Sequence, residues 1–218
     1  MNQTAHETRS TPAPDEPRDQ TPDINREKIL QSAASEIHRC GFQAASIAKI
    51  LSDTGLTKGA LYHHFPSKQQ LGLAVVDEVI LPSLAERILD PLRHAERPVE
   101  ALLDYLQFRR ETMTDESIRL GCPLNNLTQE MSPLDDDFKA RLNEILQTWQ
   151  SVIEQALVTG QAQGQIRPDV DCGSAALFIV SAWEGCWGMA KNRQSVAVFQ
   201  QCLSQLRNYV LNLGPHSG

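Results

Sequence analysis

From Ile24 to Leu213 the apolar residues recur at three- and four-residue spacings, and no stretch keeps the strict alternation of a strand. The first clear stripe is Ile29, Leu30, Ala33, Ala34 and Ile37. It predicts a helix from Asn25, read as its cap, to about Cys40, with Gly41 ending it. Ser46 then caps a short helix that buries Ile47, Ile50 and Leu51, and Gly55 breaks it. Thr57 starts a third helix, which runs only to about His63 before Pro66 closes it. Ser67 with Gln70 reads as a capping box that opens a long fourth helix.

Beyond these, residues 98–114, 123–131, 134–163, 170–192 and 195–213 carry helical patterns. Ser132-Pro133 reads as a cap followed by proline at the first helical position. Asp169 or Asp171 can cap the next-to-last helix, and Gly160 and Gly164 weaken the end of the 134–163 segment. The expected fold is therefore all-α, with about nine helices. A short three-helix unit over residues 24–71 is followed by a helical bundle over 72–218.

Composition changes this picture at the N-terminus. Residues 1–23 hold Pro12, Pro14, Pro17 and Pro22 among polar side chains, too little apolar surface to offset ordering, so they are expected to be disordered. Charge changes it again. The chain carries −7 overall, but residues 1–23 hold −3, residues 24–72 hold +3 and residues 73–218 hold −7. One basic segment thus stands out in an acidic chain, which is what a polyanion partner requires. No apolar run approaches the roughly 20 residues that span a bilayer, and no basic-then-apolar leader pattern is present; a cytoplasmic chain without membrane contact is expected. Cys40, Cys122, Cys172, Cys186 and Cys202 are odd in number and widely spaced, which argues against a disulfide framework or zinc site and points to reduced, buried thiols for most of them.

A helix, a glycine turn and a second short helix form the helix-turn-helix plan, in which the later helix presents its N-terminal end to the DNA major groove. Periodicity splits that helix in two. Leu61 and Phe65 face the core, while Thr57, Lys58, Ala60, Tyr62, His63 and His64 lie partly or wholly on the other side. Gly59 lets the backbone approach DNA, Lys58 can donate to guanine, and Ala60 can meet a thymine methyl. Tyr62 and His64 suit phosphates, which position rather than specify. Ser46 at the preceding helix start and Lys68 at the following one complete the expected DNA-facing set. Lys68 opposes its helix dipole, a conflict that a phosphate would relieve.

The run "REKILQSAASEIHRCGF", Ile50 nine residues after Gly41, and "TGLTKGALYHHFPSKQQL" together resemble the DNA-binding domain of the TetR/AcrR family of transcriptional repressors. Leu51 and Thr54 depart from the small alanines common at those positions and can shift the angle between the second and third helices. The resemblance implies a second domain that binds a ligand and dimerises. On that expectation the two last helices pair with a symmetry mate, with Ala182, Gly185 and Met189 along one stripe and Trp183 and Trp187 along another. Trp187 is assigned to the interface with the first stripe. A pocket would draw on Tyr105, Phe108, Met113, Cys122, Asn126, Trp149 and Trp183.

"RLGCPLNNLTQEMSP" resembles a Gly-Cys-x-x-x-Asn-Leu element found in part of the same family. Cys122 before Pro123 can sit at a helix N-terminus, where the dipole and Arg119 would lower its thiol pKa and allow an electrophile sensor. The alternative is a small buried residue. Enzyme chemistry finds no support: GxSxG, HExxH, phosphate-loop and EF-hand patterns are absent, and adjacent His63 and His64 diverge by about 100° on a helix. Glu130 with Asp135, Asp136 and Asp137 reads as an acidic helix start. No metal and no cofactor are expected. The expected function is a homodimeric repressor on a double-stranded, palindromic operator, released by a small-molecule inducer that moves the fourth helix. A thiol sensor using Cys122 and an activator of the same fold are the alternatives.

Overall fold

The computed structural model describes residues 24–215; the expected disordered segment 1–23 lies outside the described residues. Among them every regular element is helical. α1 (Ile24–Cys40), α2 (Ile47–Thr54) and α3 (Lys58–His64) form a small N-terminal unit. A continuous helical run follows from Lys68 to His94, made of α4 (Lys68–Val75), a π-helical segment (Val76–Ile80), α5 (Leu81–Leu84), a second π segment (Ala85–Leu89) and α6 (Asp90–His94). Then come α7 (Pro98–Thr112), α8 (Asp115–Leu120), α9 (Pro123–Met131), α10 (Asp136–Ala162), α11 (Cys172–Arg193) and α12 (Val196–Asn212). No described helix is long and apolar enough to cross a membrane.

The two π segments have a local cause. Pro82 and Pro91 lie just beyond them, and each lacks the N–H that an α-helix would spend on the carbonyl four residues back, while its ring crowds that carbonyl. Widening the turn before each proline carries the helix through without a break.

Caps are legible at most starts. Ser46 accepts from the Lys49 amide, Thr57 from Ala60, Ser67 from Gln70 and Asp171 from Ser174. Two sites differ from expectation. Asn25 lies inside α1, whose first residue is Ile24. At α10, Asp135 replaces Ser132 as the cap: its carboxylate accepts from the Asp137 and Phe138 amides, both at 3.0 Å. Asp135 satisfies two of the helix's orphan N–H groups and adds a favourable charge, and Ser132 to Leu134 is left as a turn. The cysteine expectation also needs correction. α11 and α12 run antiparallel, and their register brings Cys186 and Cys202 to a Cα separation of 5.5 Å, where they form a disulfide.

α10 packs on α11, α11 on α12 and α12 on α7, which makes the bundle; α1 packs on α2, α3 and α4. The junction between the unit and the bundle is a three-way contact. Phe42, from the α1–α2 turn, lies against Phe138 of α10 with ring centroids 4.7 Å apart, and Gly72 of α4 sits beneath both. A methyl on Gly72 would stand 2.5 Å from Phe42 and 2.7 Å from Phe138. Arg26 of α1 adds a two-pronged ion pair to Glu78, both contacts at 2.6 Å, and Arg141 of α10 reaches Asp77 at 3.2 Å.

Gly72→Ala sets a helix-propensity gain of about 1 kcal/mol against overpacking of two rigid rings, which costs about 1–3 kcal/mol or more. Overpacking should win, so the variant should unfold at a lower denaturant midpoint with an unchanged m-value.

Candidate nucleic-acid interface and cavity

α3 is short, so its orientation comes from anchoring. Leu61 is fully buried and Phe65 nearly so, and the Arg26 guanidinium lies 5.0 Å from the Phe65 ring. These contacts fix one side of the helix and turn the other outward. Ser46, Thr57, Lys58, Gly59, Tyr62 and His63 are exposed, and Ala60 and His64 are half-buried. Lys58 Nζ lies 5.8 Å from the Tyr62 ring, and the rings of His63 and His64 meet edge-on at 5.1 Å. Among the described residues no group of three His, Cys, Asp or Glu side chains stands close enough to hold a metal.

Lys68 departs from this set. Its ammonium donates to the Gln43 carbonyl at 2.9 Å and lies 5.0 Å from the Phe42 ring. The conflict with its helix dipole is thus met by a protein carbonyl, and the side chain ties α4 to the α1–α2 turn.

A second tie at that turn was hidden from the sequence. Glu130 does not join Asp135, Asp136 and Asp137 at a helix start. It sits in the last turn of α9, and its two carboxylate oxygens accept from the Phe42 amide at 2.8 Å and the Gln43 amide at 2.9 Å. Gly41 makes this possible: its φ of 85° turns the chain, and a Cβ there would meet the Glu130 carboxylate at 2.8 Å. His38 of α1 reinforces the tie through Nε2, 2.8 Å from the Gly121 carbonyl.

Between the N-terminal unit and the bundle lies a cavity of about 550 Å³. Ala34 and His38 of α1 form one side, the Lys68–His94 run another, and Tyr105, Arg109, Cys122, Asn126, Trp149, Trp183 and Trp187 most of the rest. Tyr105 stacks on Trp183 at 5.3 Å, and Trp149 meets Trp183 edge-on at 6.1 Å. Five of the expected pocket residues are therefore brought together: Tyr105, Cys122, Asn126, Trp149 and Trp183. Phe108 is not, because it points outward with 57% of its surface exposed. Met113 is buried in the core beyond the cavity wall. Trp187, assigned to a dimer face, is buried and lines the cavity instead. The Asn126 amide is already engaged, donating to the Leu120 carbonyl and accepting from Lys191 Nζ, both at 2.9 Å. Gly185 and Met189 are exposed and Ala182 is half-exposed; with Phe178, half-exposed one turn earlier, they mark an apolar, small-residue stripe on α11.

Cys122 stands at the N-cap position of α9, as its place before Pro123 suggested, without a side-chain capping bond, and its surroundings oppose activation. Burial first, then the Glu184 carboxylate 3.5 Å from Sγ, push the thiol well above its ordinary range. Arg119 leans toward Glu116, 3.9 Å away. The helix dipole does not offset those two effects, so the surroundings favour the protonated thiol over the thiolate that a sensor would use.

The same burial acts on Glu184, pushed up to about 7 from 4.5. The folded chain holds this proton over a range in which the unfolded chain releases it. The stability it confers is therefore full below about pH 4.5 and falls as pH rises to about 7. Glu184→Gln keeps an acceptor for Cys122 and should flatten that fall by on the order of 1–3 kcal/mol. Denaturant melts of both proteins across this pH range measure it.

Comparison with known proteins agrees with this geometry. Residues 29–75 match the family model described as "Bacterial regulatory proteins, tetR family", and residues 98–206 match "Tetracyclin repressor-like, C-terminal domain". The transcriptional regulator AcuR of Cereibacter sphaeroides is 29% identical over 170 residues, covering 77% of each chain. The HTH-type transcriptional repressor DhaR of a Mycobacterium species is 27% identical over 161 residues, covering 73% of this chain and 79% of its own. The crystal structure of a regulatory protein TetR from Rhodobacter sphaeroides superposes with a TM-score of 0.76 at 25% identity, over 86% of this chain and 99% of its own. With the N-terminal match over the reading unit and the C-terminal match spanning half of the 218 residues, the chain belongs to the tetR family of DNA-binding transcriptional regulators.

Proposed function

We propose that the chain is a homodimeric repressor that binds a palindromic operator through α3 and is released when a small molecule fills the cavity. One observation carries the release step: Ala34 and His38 of α1, the helix on which α3 is anchored, form part of the cavity wall. An occupant would therefore touch the reading unit's own scaffold.

Two routes carry displacement from cavity to α3. The first is the Lys68–His94 run, which walls the cavity with Val75, Val79 and Ile80 and begins directly after the reading helix. The second is α9, which lines the cavity with Leu124 and Leu127 and holds the α1–α2 turn through Glu130. Both end at Phe42 and Gln43, so a shift of either moves the reading unit as a body. In a dimer, half-sites one helical turn apart demand reading heads roughly 34–36 Å apart. Displacing them removes simultaneous binding and the avidity it supplies.

For the dimer, the exposed stripe of Phe178, Ala182, Gly185 and Met189 on α11 offers close helix approach flanked by apolar anchors. DhaR's description as a repressor supports the sign of regulation. In the DNA-facing set, Lys58, Gly59 and Ala60 would meet base edges; Ser46, Thr57, Tyr62, His63 and His64 would meet phosphates.

DNA selected from a random pool by the intact chain provides the operator for two tests. Tyr62→Ala should weaken operator binding by ~1–2 kcal/mol and leave the dimer mass unchanged; undiminished affinity would remove Tyr62 from the interface. Glu130→Ala, which frees the Phe42 and Gln43 amides, should cost about 3–10-fold in operator affinity, on the order of one hydrogen bond's worth of positioning. A gel shift on the same DNA measures both.

A further inference from the structure

We propose that the cavity takes a small organic anion, a carboxylate with a compact apolar or aromatic body, held by Arg109 and Arg87 against the tryptophan wall. The proposal rests on the reading of the cavity as the inducer site and names the chemistry of what enters it.

Two cations without counter-charges line the cavity, one half-buried and the other, Arg87, exposed to solvent. Arg109 of α7 and Arg87 of the second π segment both line it, and among the described residues neither has a carboxylate within ion-pair distance. Surface arginines such as Arg26, Arg97 and Arg141 do have such partners. Arg109 is half-buried, and its guanidinium stands 6.0 Å from the Trp187 ring. Its Nε and the Trp149 Nε1 are buried donors with no hydrogen-bond partner among the described residues.

Burying a guanidinium without an anion is costly, and burial does pull Arg109 below its ordinary range. Arg87 adds repulsion of like sign. The other charged groups do not compensate. Glu116 lies at the mouth with its side chain 79% exposed and leans toward Arg119. Glu184 stands behind Cys122 rather than on the cavity wall, and burial favours its neutral form. Lys191 and His38 are already bonded to Asn126 and Gly121. The unfilled requirement is thus for negative charge beside a flat apolar surface. A guanidinium offers a carboxylate two parallel N–H bonds, and the rings of Tyr105, Trp183 and Trp187 offer the body a face to lie on. A volume of about 550 Å³ suits a small organic molecule.

The chain has three tryptophans, Trp149, Trp183 and Trp187, and all three line this cavity. Their fluorescence therefore reports on it directly. The full-length protein is titrated at neutral pH with acids and their neutral amides: benzoate and benzamide, phenylacetate and phenylacetamide, hexanoate and hexanamide. At least one acid should bind about ten-fold more tightly than its amide, Arg109→Gln should bring that ratio to about one, and Arg109→Lys should keep part of it. Circular dichroism confirms the fold of each variant, and Arg87→Gln, expected to reduce the ratio, serves if Arg109→Gln does not fold. The proposal is overturned if every amide matches its acid, if no pair perturbs the emission, or if Arg109→Gln keeps the preference. A gel shift run beside the titration separates the two readings. Release of operator by an amide that binds as well as its acid would leave the inducer site standing and remove the anion. An acid that binds with the expected preference yet leaves operator binding unchanged would do the reverse.

Discussion

The structure depends on the contact at which Phe42 lies against Phe138 over Gly72, with the Glu130 carboxylate closing on the Phe42 and Gln43 amides. α2 and α3 together bury few large side chains, chiefly Ile50, Leu61 and the adjacent Phe65, too little for a unit this small to hold itself in place. Its direction is borrowed from α1 and α4. They are fixed to the bundle at this junction and by the Arg141–Asp77 ion pair, and Arg26–Glu78 ties α1 to the run that continues α4. The same helices wall the cavity. On the proposed release mechanism, a rigid junction of this kind would pass a small change at the cavity to the reading unit, because packed interfaces shift between discrete arrangements rather than bending smoothly.

How far the sequence revealed this depends on the range of each signal. The reading helix was legible because its signals are local: Gly55 ends α2, Thr57 and Ser67 cap the next two helices, and Leu61 and Phe65 lie one turn apart. Trp149, Trp183 and Tyr105 were placed at the cavity by size and position on the bundle helices, a signal that the exposed Phe108 of α7 and Phe178 of α11 show to be incomplete. Phe108 and Trp187 were exchanged between inside and outside, since a stripe on a helix does not state which neighbour it faces. The ties that Glu130 and Lys68 make to the α1–α2 turn escaped. Their partners lie 88 and 25 residues away, at a turn whose position only the tertiary fold sets. The disulfide escaped for the same reason: the register of α11 on α12 decides it, not the spacing of the cysteines. Asp135, read only as part of an acidic helix start, caps α10 in place of Ser132 three residues earlier, because its carboxylate accepts from two amides of the helix end.

Burial shapes the chemistry of the cavity in one consistent way. It penalises whichever charged form lacks a partner, so Cys122 is held as a thiol and Glu184 is drawn toward its neutral acid. An arginine has no comparable escape, because its proton is too firmly held to be released near neutral pH. Arg109 therefore keeps its charge in a place that disfavours it, and the cavity's electrostatic demand survives while the neighbouring groups relax theirs. α1 is both the helix on which α3 packs and a wall of the cavity, so the proposed anion site and the DNA-binding unit share it.

The most direct test of this account is amide hydrogen exchange at Phe42 and Gln43, with the cavity empty and with it filled by the tightest-binding carboxylate of the paired series. If cavity and reading unit are joined through this junction, protection at these two amides should change on filling while the buried centre of α10 keeps its own. Unchanged protection at both, with the cavity demonstrably occupied, would contradict the coupling.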